Sequence, residues 1–207
     1  MKRLPALFYE LPSGHVPVRE WSRSLDAADR KIIGEDIKDV EFSWPIGMPL
    51  VRALGAGLWE VRSSLTQGRI APRAVLYRRR TDGFAARFHQ EDAEDAAKRF
   101  EFGIEAKEGD HMTKKQKGRI GPSFDDFLKE EGIYEVVTAR AIKRVIARQL
   151  DALMQEQGIS KTELAKAMKT SRAQLDRLLD PENESVTLGT LTRAAQAVGR
   201  NLRMELV

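Results

Sequence analysis
The chain opens with short apolar stretches and closes with longer ones at helical spacing. Residues 4–10, LPALFYE, read as a first strand. Pro17 lies near the start of a helix with Trp21 and Leu25 on its apolar side. Asp26 and Asp29 are positioned to cap a second helix carrying Ile32, Ile33 and Ile37. Residues 43–49, SWPIGMP, hold two prolines and a glycine and read as loop. A β-meander follows. Residues 51–54 form one strand, 55–57 the turn, and 58–64 the next strand, with Leu58, Glu60 and Arg62 alternating against Trp59 and Val61. Residues 66–68 turn the chain again, and Arg69-Ile70 begins a further strand. From 72 to 111 alternation is weak and charge is dense. This stretch is expected to be a solvated linker, or a loose helix around Gln90–Phe100. Residues 114–121 are basic and Gly-containing, as in a disordered start.

The rear of the chain has a period near 3.6. Ser123 can cap FDDFLKEEG, with acidic residues where the helix dipole favours them and Gly132 at the stop. Residues 138–157 predict a long amphipathic helix through Ile142, Val145, Ile146, Leu150, Leu153 and Met154, ended by Gly158. Ser160–Leu179 then reads as two short helices joined by a tight turn. Ser160 and Glu163 have capping-box spacing, and Ser171 caps again three residues before Gln174. Leu164, Ala165 and Met168 give one apolar face; Leu175, Leu178 and Leu179 give the other. Thr187 starts another helix, with Leu188, Leu191, Ala194, Ala195 and Val198 apolar and Gly199 at its end. Residues 201–207 alternate as a short terminal strand.

Composition narrows the function. The 207 residues suit one or two domains, and 42% hydrophobic with 32% charged residues describes a globular chain. A net charge of +4 is compatible with nucleic acid. No apolar run reaches the roughly 20 residues of a membrane span. The N-terminal apolar stretch, interrupted by Pro5 and Glu10, is too short for a signal peptide. The chain has no cysteine and three scattered histidines, so disulfides, thiolate chemistry and a zinc site are not expected. No metal and no cofactor is expected, no membrane partner is expected, and a cytoplasmic location is the default.

Two short helices around a three- to four-residue turn are the helix-turn-helix pattern, whose second helix presents its first residues to the DNA major groove. Here those residues are Thr170, Ser171, Arg172, Gln174 and, one turn on, Arg177. Arginine reads guanine bidentately and glutamine reads adenine. Ser160, Lys161 and Thr162 would join Thr170 and Ser171 near phosphates. The alternative is a plain helical hairpin with a solvated polar face. The long helix before and the apolar helix after complete a four-helix unit like the lambda-repressor-like DNA-binding domains, and favour the DNA reading.

Residues 112–207 resemble HigA-type antitoxins, the helix-turn-helix antidotes of type II toxin–antitoxin pairs. The resemblance rests on FDDFLKEEGIYEVVTARAIKRVIARQL, on GISKTELAKAMKTSRAQLDRLLDPENESVTLGTLTRAAQAVGRNL and on RMELV. Residues 1–71 resemble the front of HigB-type toxins of the RelE superfamily through VREWSRSL, WPIGMPLVRALGAGLWEVRSSL and GRIA. That resemblance implies a small α/β domain that cleaves messenger RNA with basic residues on its sheet, a role that would fall on Arg62 and Arg69. The other reading of both is a surface arginine on a strand.

After Ala71 the chain departs from the toxin pattern. Read one nucleotide later, AARFHQEDAEDAA can encode the family's LHGFIKKTQKTP. Met112-Thr113 must be ATG-ACN, which places TGA in that shifted frame. The chain therefore reads as a toxin whose frame slipped near residues 71–76 and ran into its antitoxin. The expected class is α+β: an incomplete RelE-like α/β region (1–71), a linker or out-of-frame segment (72–111), and a mainly helical antitoxin region (112–207, core 138–207). A toxin region lacking its last strand would leave an unpaired sheet edge, so no ribonuclease activity is expected. The expected function is a DNA-binding regulator of the antitoxin type. It represses its own operon as a homodimer on a double-stranded operator and neutralises a HigB-like toxin. The alternatives are a messenger RNA endonuclease held inactive in cis, and an interaction protein that only sequesters a toxin.

Overall fold
The computed structural model describes residues 4–55, 58–68, 74–79, 83–88, 119–181, 183 and 186–203. The chain divides into two compact units, Met1–Thr138 and Ala139–Val207. In the first, strand β1 (Ala6–Glu10) is followed by helices α1 (Pro17–Ser24) and α2 (Ala27–Ser43). Strands β2 (Val51–Gly55), β3 (Leu58–Val61), β4 (Ala74–Arg79) and β5 (Gly83–Phe88) make an antiparallel meander, and β6 (Arg119–Ser123) precedes helix α3 (Phe124–Glu130). The six strands form one sheet in the order β2-β3-β4-β5-β1-β6. β1 runs parallel to β5, with Ala6 opposite Phe84, and antiparallel to β6.

This sheet corrects three expectations. Residues 72–111 are not linker throughout, because β4 and β5 occupy two stretches of them. The sheet is not cut short after Ala71: β4 pairs with β3, and β5 carries the ladder on to β1. Nor is the whole of 114–121 a disordered start, since β6 begins at Arg119. β4 and β5 pair as a hairpin, while β5 and β6 are each held to β1 by residues far away in sequence. Strand formation depends on such neighbours more than on local propensity. β6 tolerates Pro122 because it lies at the edge of the sheet. The helix expected around Gln90–Phe100 and the strand start at Arg69-Ile70 lie outside the described residues.

Phe8 is the centre of the first core. Its ring meets Phe124 at 5.6 Å and Phe127 edge-on at 5.5 Å, and Val18, Ile33, Ile37, Leu128 and Val137 close around them. Asp26 caps α2 by accepting the Asp29 N–H at 2.8 Å. Asp29 itself is buried and takes the N–H and hydroxyl of Thr66 at 2.9 and 2.8 Å. From Ile33 to Glu41 every residue of α2 is buried. Gly34 allows this enclosure, because a Cβ there would stand 3.2 Å from side-chain atoms of Leu128 and Val137. Lys38, with no exposed side chain, pairs with Glu41 at 2.7 Å and Asp125 at 2.8 Å. Arg19 and Arg23 pair with Glu130, and Arg23 and Arg30 with Glu131.

In the second unit, helix α4 (Tyr134–Gln157, in which the division of the chain falls) begins four residues earlier than its apolar spacing predicts. Helices α5 (Lys161–Ala167), α6 (Arg172–Leu179) and α7 (Leu188–Ala197) follow. Their core is apolar: Leu150, Met154, Leu164, Met168, Leu175, Leu178 and Val198 are all buried. Gln157 Nε2 donates to the Val198 carbonyl at 3.0 Å, joining the ends of α4 and α7. Residues 201–203 form no strand, which corrects the terminal strand for its described part; 204–207 lie outside the described residues.

Candidate nucleic-acid interface
The polar residues singled out in Ser160–Leu179 are set by caps and by two leucines. Ser160 accepts the Glu163 N–H at 3.2 Å while the Glu163 carboxylate accepts the Ser160 N–H at 2.8 Å, a reciprocal capping box. Hydrogen bonding to the Ser160 backbone N–H, and then to its side chain, holds the Glu163 carboxyl below the usual glutamate range. Ser171 caps α6 by accepting the Gln174 N–H at 3.1 Å. Leu175 and Leu178 are buried, so the opposite face of α6 turns Arg172, Gln174 and Arg177 to solvent, and all three are exposed.

These side chains meet across the turn. Arg172 Nη1 donates to Thr162 Oγ1 at 3.1 Å. The Thr170 hydroxyl donates to Gln174 Oε1. Asp176, which the motif alone does not single out, takes Lys161 Nζ at 3.1 Å and lies 3.9 Å from Arg172 Nε. The Arg172–Asp176 spacing of four is legible on a helix face; the contact with Lys161 is not, because it crosses the turn. The surface thus has cations and amides for base edges and phosphates, with one carboxylate set between them.

The turn is closed unusually. Thr170 N–H bonds to the Ala165 carbonyl at 3.0 Å and Lys169 N–H to Lys166 at 3.1 Å. This is the Schellman closure, which places the residue after the C-cap in the left-handed region and favours glycine there. Helices α3, α4 and α7 end in the same pair of bonds with Gly132, Gly158 and Gly199. At the centre of the motif the residue is Lys169, at φ 52°.

Two capped helices with buried inner faces, one tight turn and an exposed basic-polar second helix make a helix-turn-helix. Residues 149–201 match the family model of the Cro/C1-type HTH DNA-binding domain. The match starts inside α4 and takes in α5, α6 and α7 whole. The C-terminal unit thus carries a DNA-binding helix-turn-helix of the kind found in transcriptional regulators, and DNA is the partner this domain supports. No curated protein and no solved structure gives a significant match to the chain.

Of the two arginines named for RNA cleavage, Arg62 alone falls among the described residues. Arg62 is half-buried just after β3, its backbone N–H bonded to the Leu50 carbonyl at 2.9 Å. Arg69 lies outside the described residues. Among the described residues no group of three His, Asp or Glu side chains could hold a metal ion, and no helix is long and apolar enough to cross a membrane.

Proposed function
We propose that the chain is a transcriptional repressor of the antitoxin type, reading a palindromic operator upstream of its own gene. The observation that carries the reading is the Cro/C1-type match over a motif whose second helix exposes Arg172, Gln174 and Arg177. Arg172 and Gln174 contact base edges, and Arg177 follows one turn later. Ser160, Lys161, Thr162, Thr170 and Ser171 line the phosphates. Such domains act as dimers with recognition helices about one turn of DNA apart. The antitoxin assignment, with a HigB-like toxin as partner, rests on the resemblance of residues 112–207 to HigA-type proteins.

Gel shifts with the upstream promoter duplex test this. Each lost base contact costs about 1–3 kcal/mol, so Arg172→Ala with Gln174→Ala should weaken binding roughly 30-fold or more. Unchanged binding removes the site assignment.

A second reading, an RNA endonuclease held inactive in cis, gains support from the sheet. Its last strands are present, and β6 and α3, which fall in the antitoxin-like stretch, pack on β1, α1 and α2. Specific RNA cleavage by the purified chain, abolished by Arg62→Ala, would establish it.

A further inference from the structure
We propose that Lys143 is a positioning residue for the DNA-reading helix; the proposal rests on the DNA-binding role of α6. Lys143 lies on α4, six residues before the stretch that matches the family model. It is the one charged side chain of the second unit that is nine-tenths buried among the described residues. Its Nζ donates to the main-chain carbonyls of Arg177, at 3.4 Å, and of Asp180 and Asn183. An ammonium has three donors and no acceptor, and here three carbonyls receive them.

All three carbonyls belong to the end of α6 or the turn beyond it. α6 is only eight residues long. Its first turn is fixed by Ser171, but it does not end in the glycine closure that finishes α3, α4 and α7. Asp180 at its C-cap is extended, with φ −70° and ψ 114°. The last carbonyls of a helix have no intrahelical partner and carry the negative end of its dipole. A buried cation delivered from α4 satisfies them and fixes the helix end. Leu175 and Leu178 hold α6 by apolar contact, which resists separation but has no preferred direction. The ammonium supplies that direction. Without it, α6 keeps its place in the core but loses the fixed orientation that Arg172 and Gln174 need to meet base edges.

Lys143→Met retains chain length and removes the donors; Lys143→Arg retains donors. Both are made in the full chain. Amide exchange reads the structural half. In Lys143→Met the Asp180 and Asn183 amides, bonded to the Asp176 and Asp180 carbonyls, should exchange at least tenfold faster while α5 amides do not change. Exchange unchanged at both amides overturns the proposal. Binding reads the functional half. The probe is the duplex that the wild-type chain enriches from a random library. Lys143→Met should bind it at least tenfold more weakly, with affinity for poly(dI-dC) and the salt slope unchanged, since Lys143 touches no phosphate. Lys143→Arg should recover most of the loss. Wild-type affinity in Lys143→Met, or equal losses on both duplexes, overturns the proposal. If the wild-type chain enriches no duplex, the DNA reading of α6 fails, and with it the functional half of this one. Amide exchange then decides by itself whether Lys143 holds the helix end.

Discussion

Lys38→Met should destabilise the first unit by about 3–5 kcal/mol. The side chain of Lys38 is fully buried, 2.7 Å from Glu41 Oε2 and 2.8 Å from Asp125 Oδ1, with the Phe42 and Tyr134 rings at 5.0 and 5.3 Å. Methionine fills similar space but removes the ammonium that two carboxylates share, and breaking a buried pair from one side carries that cost. The two carboxylates differ. Asp125 keeps 20% of its side chain in water, whereas Glu41 keeps 2% and cannot turn outward, because its Oε1 accepts the Ala6 N–H at 2.6 Å. Most of the loss therefore sits on Glu41. Lys38→Met with Glu41→Gln, which keeps an acceptor for Ala6, should recover more than Lys38→Met with Asp125→Asn. The assay is thermal unfolding followed by tryptophan emission. All three tryptophans, Trp21, Trp44 and Trp59, precede residue 60, so emission reports the first unit alone. At about 3 °C per kcal/mol for a unit of this size, the midpoint should fall by roughly 10–15 °C. A fall equivalent to less than about 1 kcal/mol, or equal recovery by the two double variants, would refute the reasoning.

Three further outcomes follow from the second unit. Lys169→Gly relieves the left-handed conformation of a cost of about 1–2 kcal/mol to a side-chain residue, partly offset by the greater freedom of unfolded glycine; the helix signal at 222 nm should melt with about 0.5–1 kcal/mol more stability, and a loss would contradict the turn geometry. Asp176→Asn releases Lys161 and Arg172 and removes a negative charge from the surface, so affinity for non-specific duplex should rise several-fold with a steeper salt slope; filter binding across a salt series measures both. The Glu163 carboxyl is held low in the folded chain, so its contribution is present above its unfolded value of about 4.3 and is lost as pH falls through the lower folded value. Melting of Glu163→Gln against wild type should show a gap at neutral pH that closes below about pH 4, and a gap that persists in acid would exclude the carboxylate as its source.

Local chemistry was legible in the sequence and distant chemistry was not. Asp26, Ser123, Ser160, Ser171 and Thr187 all cap the helices that their spacing announced, because a cap and its partner lie three residues apart. The glycine stops at 132, 158 and 199 are equally local. The ladder between Ala6 and Phe84, by contrast, joins residues that no short window contains. α2 itself was legible from Asp26 and its isoleucines, but its enclosure was not: a helix enclosed along its length need not show an apolar stripe when its charges find partners, and Lys38 and Asp29 find theirs at Asp125 and Thr66. In the candidate site the residue types of α6 were readable from the motif. Asp176 bridging to Lys161 and Lys143 reaching Arg177 were not, since both contacts cross between helices.

The packing also divides the stretch that resembles an antitoxin. Its front, β6 and α3, belongs to the first unit: Phe124, Phe127 and Leu128 complete the core around Phe8, and Asp125 holds the buried Lys38. Its rear keeps a core of its own that begins at Leu150 and contains no residue of that front. The two functional readings therefore rest on different residues. The repressor reading rests on residues after 138, where the caps of α5 to α7, Lys143 and the exposed face of α6 lie. The reading of inhibition in cis rests on residues before 138, where Glu130 and Glu131 pair with Arg19, Arg23 and Arg30. A change in the acidic pair that altered operator binding would link the two readings, whereas a change confined to RNA cleavage would separate them.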